Sequence, residues 1–295
     1  MIVVTRFAPS PTGRLHAGHA VSALLAHDRA REAGGRFLLR IEDIDPGRAR
    51  PEHIDGILAD LAWLGVEPDG PVVRQSQRLP LYAEALDRLR DMGVLYPCFC
   101  TRTAIAAEIA GSASAPHGPS GVVYPGTCRR LGHEERARRQ AQEPHAWRID
   151  MAAALARVGE TPLRFHDVHA GWVDADPAAH GDVVLARKDA PVSYHLAVTV
   201  DDAAQGVTLV TRGVDLFHAT DIHRLLQALL NLPVPAYEHH AMLLDADGRP
   251  LAKRNGAAAL ADLRADGVDG RASADTIRAA RAALDLDTRT PTSVS

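Results

Sequence analysis

A segment close to the N-terminus constrains the fold of this chain most, because it joins a strand end, a rigid turn and a helix start. Residues 3–7 form a short apolar run that is typical of a strand. Pro9 and Pro11 stiffen the exit from this run, and Gly13 permits a backbone conformation that other residues resist. The segment therefore predicts a strand that turns sharply into a helix.

The predicted helix extends from about residue 16 to residue 33. His16 and His19 are three positions apart, so their side chains share one face of its first turn. We expect outward-pointing backbone N–H groups, the helix dipole and the two imidazoles to form a binding place for a triphosphate. Gly18 lets a flat base or a ribose lie close to the backbone. A solvated helix end is the alternative interpretation of so short a motif.

Length and composition are those of a globular protein. The chain has 295 residues, of which 46% are hydrophobic and 24% are charged, so it can form one large domain or two modest ones. No apolar run is long enough to span a bilayer, and the N-terminal run is too short for a signal peptide. We therefore expect a cytoplasmic protein with no membrane partner. The net charge of -4 argues against a non-specific nucleic-acid binder, but it is compatible with a local basic face.

Carboxylates crowd the C-terminal end of a second apolar strand, predicted at residues 36–45. Strand, helix and strand in this order fit the first half of a nucleotide-binding sheet. Ligands bind at the C-terminal ends of strands in such sheets, so Glu42 is a candidate to hold the ammonium group of a ligand. Helix capping is the alternative role for this carboxylate. Asp43 and Asp45 are interpreted as solvated turn residues.

Residues 96–185 differ in character from the chain on either side. Residues 111–126 are rich in Gly, Ser, Pro and Ala and are predicted to form a loop. Two helices that serve packing alone are predicted before this block, at residues 51–64 and 79–92. Strand-like segments are predicted within it, at residues 146–150, 163–168 and 183–185. We interpret the block as an insertion between two halves of the sheet.

All three cysteines flank this loop, two of them in a Cys98-Phe99-Cys100 element and the third at Cys128. In a cytoplasmic chain this spacing does not indicate a disulfide framework. It is compatible with a tetrahedral zinc site that closes the loop, although the spacing reveals no fourth ligand. Small buried thiols are the alternative interpretation.

A run of charge lies between Arg129 and Arg148, with six arginines and three glutamates. Several of them fall on a helix predicted at residues 133–142. Such a run is typical of an exposed helix face. In a protein that holds an RNA, it could also contact phosphates.

The predicted sheet resumes with neighbouring strands at residues 194–202 and 207–212, and a helix then reaches about residue 230. Tyr194 would begin the first of these strands, and Arg212 would end the second. A buried arginine in a cleft needs an anionic partner, which a substrate carboxylate can supply through paired hydrogen bonds. A structural role is the alternative for each residue taken alone.

Several of these segments resemble the motifs of class I aminoacyl-tRNA synthetases. His16-Ala17-Gly18-His19 is similar to the His-Ile-Gly-His element of that family, and Arg6-Phe7-Ala8-Pro9-Ser10-Pro11-Thr12-Gly13 resembles its glutamyl branch. Ile41-Glu42-Asp43 and the segments that begin at Tyr194 and Arg212 are similar to further motifs of this branch, in the right order. The cysteine pattern resembles a small paralogue family of glutamyl-tRNA synthetase, the glutamyl-queuosine tRNA(Asp) synthetases.

This resemblance implies a fourth zinc ligand. The pattern Cys-x-Cys followed by Tyr-x-x-x-Cys maps onto Cys98, Cys100, Tyr124 and Cys128. A phenolate ligand is unusual, so two competitors stay open, His117 and His133.

Residues 247–255 align in part with the second class I signature, Lys-Met-Ser-Lys-Ser. Lys253 matches the second lysine, which the family places on the ATP phosphates. The loop departs from the signature at two positions, Pro250 and Ala252. Two neighbours could replace the missing charge, Arg249 and Arg254.

The resemblance implies an α/β fold: a class I synthetase Rossmann-like parallel sheet with an inserted zinc-containing α+β subdomain and a short helical C-terminal tail. The expected units are the first catalytic half (1–95), the inserted acceptor-type subdomain (96–185), the second catalytic half with the signature loop (186–258) and the helical tail (259–295). We expect the anticodon-binding region of a glutamyl-tRNA synthetase to be absent.

The resemblance also implies a ligase that uses ATP and Mg²⁺ to convert L-glutamate to glutamyl-adenylate, then transfers glutamate to queuosine in the anticodon of tRNA(Asp). One structural Zn²⁺ and a monomeric state are expected. The implied catalytic residues are His16, His19 and Lys253. The implied substrate-binding residues are Arg6, Phe7, Ala8, Pro9, Ser10, Glu42, Tyr194 and Arg212. Two alternatives stay open: a truncated glutamyl-tRNA synthetase that charges a tRNA 3′ end, and a catalytically silent paralogue that binds RNA or glutamate.

Overall fold

The computed structural model describes residues 2–101, 103–106, 117–119, 121–243 and 258–287. Lys253 and the rest of the second signature lie outside these ranges. The strands, in chain order, are β1 (Val4–Phe7), β2 (Arg36–Ile41), β3 (Val73–Arg74), β4 (Leu95–Cys98), β5 (His117–Gly118), β6 (Gly121–Val122), β7 (Ala146–Ile149), β8 (Arg164–Asp167), β9 (Gly171–Asp174), β10 (Val184–Ala186), β11 (Leu209–Gly213) and β12 (Ala236–His240). Besides a partly described helical segment at residues 103–106, the α-helices are α1 (Ala17–Glu32), α2 (Pro51–Trp63), α3 (Leu79–Asp91), α4 (His133–Gln142), α5 (Met151–Val158), α6 (Tyr194–Ala204), α7 (Ala219–Leu230), α8 (Leu260–Ala265) and α9 (Gly270–Asp287).

Two parallel sheets meet edge to edge at β1 and β11. One has the order β1-β2-β3, and the other has β11, β12 and β8 in parallel with β9 added antiparallel. Thr208 joins them, because its backbone N–H donates to the oxygen of Val4 at 2.9 Å and its Oγ1 accepts from the nitrogen of Val4 at 2.8 Å. The α/β class and the parallel sheet predicted from the sequence are confirmed.

A separate antiparallel sheet has the order β10-β7-β4 and carries Cys98 at the end of β4. It belongs to the block that the sequence marks as an insertion, although β8 and β9 of the same block pair with the parallel sheet. None of the helices in the described part of the chain has the length and apolar character that a bilayer-spanning helix needs.

The structure corrects one predicted element, because residues 194–202 form a helix and not a strand. α6 starts after Ser193, and its residues from Leu196 to Asp202 are all buried, with α3 and α7 packed against it. A short helix that is buried on every side has no polar face, so its apolar run cannot be distinguished from a buried strand by periodicity. Tyr194 therefore begins a helix, and it lies next to β11, which carries Arg212.

The helical tail packs back on the N-terminal half of the chain. The backbone N–H of Leu260 donates to the oxygen of Leu15 at 2.9 Å, and Ala259 forms an isolated bridge with His16. Arg278 pairs with Asp28 of α1 at 2.9 Å. The chain therefore returns to the start of α1 directly after the second signature.

Gly35 is a position where the fold has no room for a side chain. A Cβ at Gly35 would collide with the backbone oxygen of Val3, so the backbone segments around Gly35 and Val3 would have to separate. We expect Gly35→Ala to lower the free energy of unfolding by about 1–3 kcal/mol, measured by urea denaturation. Gly56→Ala is the matched control, because Gly56 lies in α2 with open space around the added Cβ. It should raise that free energy by about 0.5–1 kcal/mol, and equal effects at the two sites would contradict the prediction.

Candidate active site and metal cluster

A cavity of about 550 Å³ opens where the C-terminal ends of β1, β11 and β12 meet the N-terminal ends of α1 and α6. Ligands bind at this edge in open α/β sheets. The described residues that the sequence singled out for substrate and catalysis all line it: Arg6, Phe7, Ala8, Pro9, Ser10, His16, His19, Glu42, Tyr194 and Arg212. The structure thus brings together candidates that are far apart in the chain.

His16 and His19 cap the start of α1 with their own rings. Nδ1 of His16 accepts from the backbone N–H of Gly18 at 3.1 Å, and Nδ1 of His19 accepts from the backbone N–H of His16 at 3.2 Å. Each neutral ring then carries its proton on Nε2 and remains a donor there. The N–H of Gly18 is engaged by His16 and is therefore not free to donate to a ligand.

Burial keeps this histidine pair neutral in the free protein. Burial lowers the pKa of His16, and burial together with the adjacent His16 ring lowers the pKa of His19 to about 4. At pH 7 the pair therefore offers N–H donors rather than positive charges. An anion bound beside the rings would raise both pKa values.

Arg212 is 5% exposed, and every acceptor that it contacts among the described residues is neutral. Its Nη2 donates to Thr220 Oγ1 at 2.7 Å and its Nε to His239 Nε2 at 3.1 Å. Its Nη1 donates to His223 Nδ1 at 3.2 Å and to the Tyr194 hydroxyl at 3.3 Å. We call these four partners the neutral shell. A buried charge that lacks a counter-ion is unfavourable, so this position favours an anionic ligand.

Hydrogen bonds behind the neutral shell fix its tautomers. Nδ1–H of His239 donates to Asp167 Oδ2 at 2.7 Å, which leaves Nε2 of the ring to accept from Arg212. Nε2–H of His223 donates to Nδ1 of His195 at 3.3 Å, which leaves Nδ1 of His223 to accept from Arg212. Burial lowers the pKa of His223 and of His239, and it lowers that of His195 to about 4. The shell orients Arg212 without cancelling its charge.

Arg6 and Arg40 differ from Arg212 because carboxylates already balance them. Arg6 Nε and Arg40 Nη1 donate to the same oxygen of Asp202, at 3.0 and 2.8 Å. Arg40 is fully buried, and its Nη2 also donates to Glu42 at 3.3 Å. Arg40 Nε also lies 3.6 Å from Asp201, so the two guanidinium groups face three carboxylates. This leaves Arg212 as the stronger candidate for a substrate carboxylate.

Glu42 lies directly after β2 with its side chain 7% exposed. Burial raises the pKa of this carboxyl, while Arg40 and Arg6 lower it. An ammonium group in the cavity would favour its charged form. The alternative role as a helix cap is not supported, because α2, the next helix, has Arg50 at its N-cap.

No sequence pattern had assigned a role to the residues that hold the two cavity arginines. They are Arg40, Asp167, Asp202, Thr220, His223 and His239. One signal was available, since a charged residue inside an apolar run is rarely buried without a partner. Arg40 stands in such a run in β2.

The three cysteines converge in a cluster with Tyr124. The cysteine Sγ atoms lie within 4.8 Å of one another. The Tyr124 hydroxyl lies 3.5 Å from Cys98 Sγ and 3.4 Å from Cys100 Sγ. Burial raises the pKa of Cys100 to about 11. Burial also opposes ionisation of Cys128, but hydrogen bonds led by the N–H of Phe99 outweigh it and lower the pKa of that thiol.

The cluster has the dimensions of a tetrahedral metal site. Bonds of about 2.3 Å to sulfur and about 2.0 Å to oxygen place two sulfurs about 3.8 Å apart and a sulfur and an oxygen about 3.5 Å apart. Cys100 Sγ and Cys128 Sγ are 3.5 Å apart, close to that spacing. Arg148 donates to Cys98 Sγ at 3.3 Å and stacks on the Tyr124 ring at 3.9 Å, where it offsets the charge of anionic ligands. The cluster can therefore hold a metal ion.

Of the two histidine competitors, His133 does not join this cluster. His133 starts α4 and is exposed, and the group of potential ligand atoms does not include it. The side chain of His117 lies outside the described part of the structure.

The part of the charge run that falls on α4 forms an exposed helix face, the interpretation that its composition favoured. α4 has no buried residue. Arg138 pairs with Glu135 at 2.7 Å, and Arg139 pairs with Glu143 at 2.8 Å.

The fold and the cavity together define the catalytic domain of a class I tRNA synthetase. Residues 2–279 match the family described as tRNA synthetases class I (E and Q), catalytic domain, and the chain belongs to this family. The predicted ligase class is confirmed. In its fold, the chain is similar to the crystal structure of the glutamate-tRNA synthetase from Elizabethkingia anophelis, with a TM-score of 0.73 and 28% identity. That match covers 87% of this chain and 53% of the other, so the chain spans about half the length of the solved protein.

The names of two relatives of similar length are more specific than the family description. The chain is 53% identical over 270 residues to the glutamyl-Q tRNA(Asp) synthetase of Rhodobacter capsulatus, which covers 90% of this chain and 96% of the relative. It is 48% identical over 273 residues to the glutamyl-Q tRNA(Asp) synthetase of Symbiobacterium thermophilum, with 89% and 81% covered. The resemblance to the small paralogue family is confirmed.

Proposed function

We propose that this chain activates L-glutamate with ATP and transfers the glutamyl group to queuosine in the anticodon of tRNA(Asp). The observation that carries the proposal is the buried charge of Arg212, which the neutral shell leaves unbalanced inside the cavity of a class I synthetase fold. A substrate carboxylate is the natural counter-ion. The names of relatives with 53% and 48% identity support the acceptor.

In the proposed first step, an oxygen of the α-carboxylate of glutamate attacks the α-phosphorus of ATP. The bond from that phosphorus to the bridging oxygen breaks, and pyrophosphate leaves with the electron pair, so the product is glutamyl-adenylate. His16 and His19 would donate from Nε2 to phosphate oxygens. Lys253 would add positive charge, an assignment made from the sequence resemblance. Mg²⁺ bound with ATP would neutralise part of the triphosphate charge.

The cavity residues would hold glutamate by charge and position. Glu42 would bind the ammonium group, while Arg212 would bind the side-chain carboxylate, with Arg6 and Tyr194 beside it. Residues 7–10 would form the wall against which the amino acid lies. Such positioning supplies much of the rate enhancement when the reaction mainly redistributes charge.

In the proposed second step, a hydroxyl oxygen of the acceptor attacks the carbonyl carbon of the adenylate. An ester bond forms, the bond from that carbon to the phosphate oxygen breaks, and AMP leaves with the electron pair while its phosphate takes the hydroxyl proton. Queuosine carries a cyclopentene diol, which offers the vicinal hydroxyls that a 3′ ribose also offers. The 3′ end of a tRNA is therefore the second candidate, and similarity to the glutamate-tRNA synthetase structure favours it.

Labelled glutamate distinguishes these acceptors. We expect glutamate-dependent ATP–pyrophosphate exchange without RNA, and label on an anticodon nucleoside after nuclease digestion of total tRNA. Transfer RNA that lacks queuosine is the control and should stay unlabelled. Label on the terminal adenosine of tRNA(Glu) would instead support the second candidate, and absence of exchange would support a catalytically silent paralogue.

Selection of glutamate over glutamine should depend on the neutral shell. We expect His223→Asp to balance Arg212 internally, so the KM for glutamate in pyrophosphate exchange should rise roughly tenfold or more as a charge-assisted contact is lost. His223→Asn is the matched control, because its amide oxygen is a neutral acceptor that can replace Nδ1. It should retain most of the affinity for glutamate and the discrimination against glutamine. An equal rise in KM for both variants would contradict the proposed role of Arg212.

We propose that the metal of the cysteine cluster is one Zn²⁺ held by Cys98, Cys100, Tyr124 and Cys128. Such a site is structural, because four protein ligands leave no open position for water or substrate. The backbone N–H of Cys128 donates to the Tyr124 oxygen at 2.9 Å, which favours the phenolate form that a metal would bind. Zinc would tie β4 to the chain around Cys128.

Metal content tests this ligand set directly. Protein purified without chelator should contain one zinc per chain, measured by elemental analysis. We expect Tyr124→Phe to release zinc to a chelator at a lower concentration than wild type, because it deletes the oxygen ligand but keeps the ring beneath Arg148. His133→Ala and His117→Ala should retain zinc as wild type does. If either histidine variant lost zinc while Tyr124→Phe kept it as wild type does, the fourth ligand would be that histidine and not Tyr124.

We also propose the chain organisation expected from the sequence, with residues 96–185 inserted between catalytic halves at 1–95 and 186–258 and followed by a helical tail at 259–295. The separate β10-β7-β4 sheet supports the insertion. A reaction between ATP, glutamate and tRNA would take place in the cytoplasm, and we propose that one chain carries it out as a monomer.

A further inference from the structure

A second cavity, of about 270 Å³, adjoins the first, and the assignments above give it no role. Ser10, Thr12, Glu42 and Tyr194 line both cavities, whereas the histidine pair lines only the first. A group bound in the second cavity would therefore lie next to the amino acid, on a different side from the proposed phosphate site.

Two side chains of the second cavity carry buried polar atoms that have no hydrogen-bond partner among the described residues. Ser193 is 8% exposed and stands at the N-cap of α6, yet its Oγ makes no capping bond and no other hydrogen bond. A serine at this position normally accepts from the first helical turn. Gln75 is 1% exposed and donates from Nε2 to Asp201 at 2.9 Å, while its Oε1 accepts nothing. Buried polar atoms are rarely left without partners, so these two point to a polar ligand.

The charged groups of this cavity largely cancel one another. Asp45 accepts from Arg48 at 2.9 Å and from Arg187 at 3.2 Å, and Arg187 also pairs with Asp189 at 2.6 Å. Among the residues that line this cavity, the guanidinium groups of Arg48 and Arg187 thus face the carboxylates of Asp45 and Glu42. This balance does not select a phosphate or a second carboxylate, and it suits a neutral group that bears hydroxyls.

We propose that the second cavity binds the vicinal diol of the acceptor nucleoside, with Ser193 and Gln75 as its polar contacts. The proposal rests on the proposed function, because it concerns the group that receives glutamate. One hydroxyl of a diol can donate to Gln75 Oε1, and the other can donate to or accept from Ser193 Oγ. The wall shared with the first cavity, formed in part by Glu42 and Tyr194, places such a diol beside the activated amino acid. A cyclopentene diol and a ribose both offer this group, so the experiment must distinguish them.

The test compares transfer with activation in the full-length protein. For each variant, kcat/KM for transfer of labelled glutamate to tRNA is divided by the rate of glutamate-dependent pyrophosphate exchange. Ser193→Ala removes a hydroxyl that makes no hydrogen bond with the described part of the chain, so the fold should persist. We expect it to lower this ratio by roughly 3–10-fold, which corresponds to one lost hydrogen bond. Ser193→Thr keeps the hydroxyl and should retain a higher ratio than Ser193→Ala.

A second variant tests the space rather than the hydrogen bond. Ala49 lines the second cavity and not the first. Because Ala49 is half-exposed, the larger side chain of Ala49→Leu should fill part of the cavity without disrupting the core. We expect a lower ratio here too. The matched controls are Ser273→Ala and Ala272→Leu, which lie on α9 outside both cavities and should keep the wild-type ratio.

Two RNA substrates identify the source of the diol. Queuosine-containing tRNA(Asp) and tRNA(Glu) are assayed in parallel, and the substrate whose transfer responds to Ser193→Ala supplies the bound group. A wild-type ratio in both Ser193→Ala and Ala49→Leu, with normal exchange, would overturn the acceptor site alone. A wild-type protein that shows no exchange would overturn the proposed function and this site with it.

Discussion

The buried guanidinium of Arg212 is the interaction on which the rest of the cavity depends. Removing a charge from water without a counter-ion is unfavourable by several kcal/mol at least, and proteins normally bury arginine beside a carboxylate. Here the hydrogen bonds are satisfied by neutral acceptors, so the group is held in place while its charge remains available. The carboxylate of Asp167 lies behind His239, where it accepts from the ring and fixes its tautomer but makes no hydrogen bond to the Arg212 guanidinium.

α6 connects this charge to the remainder of the fold. Its first residue, Tyr194, contacts Arg212, and its later residues Asp201 and Asp202 contact the N-terminal half of the chain. Asp201 accepts from Tyr82 at 2.8 Å and from Arg78 at 2.6 Å. Asp202 joins Arg6 to Arg40 through a single oxygen. Ion pairs with buried partners therefore hold α6 against β1, β2 and the start of α3, and with it the position of Tyr194.

The sequence predicted the parts of this site that depend on local chemistry, and it missed those that depend on tertiary contacts. The strand, turn and helix around His16 follow from local geometry and were confirmed in the structure. The cluster of Cys98, Cys100 and Cys128 follows from spacing together with the family resemblance. The helix at residues 194–204 was missed because burial on every side removes the polar face that reveals a helical period. Three members of the neutral shell, Thr220, His223 and His239, were missed because they come from α7 and β12, which no local pattern relates to Tyr194.

Binding of an anion at Arg212 should change the pKa values of the histidines around it. Arg212 contributes to the lowered pKa values of His223 and His195, so a carboxylate that balances it would allow both to rise. Burial is the larger cause for both rings, however, and a ligand that fills the cavity does not reverse it. The rings should therefore stay neutral, and His223 should continue to accept from Arg212 while it donates to His195. His195 lines the second cavity. The hydrogen bonds from Arg212 to His223 and from His223 to His195 therefore connect the proposed glutamate site to the proposed acceptor site, and they fix the tautomer of His223.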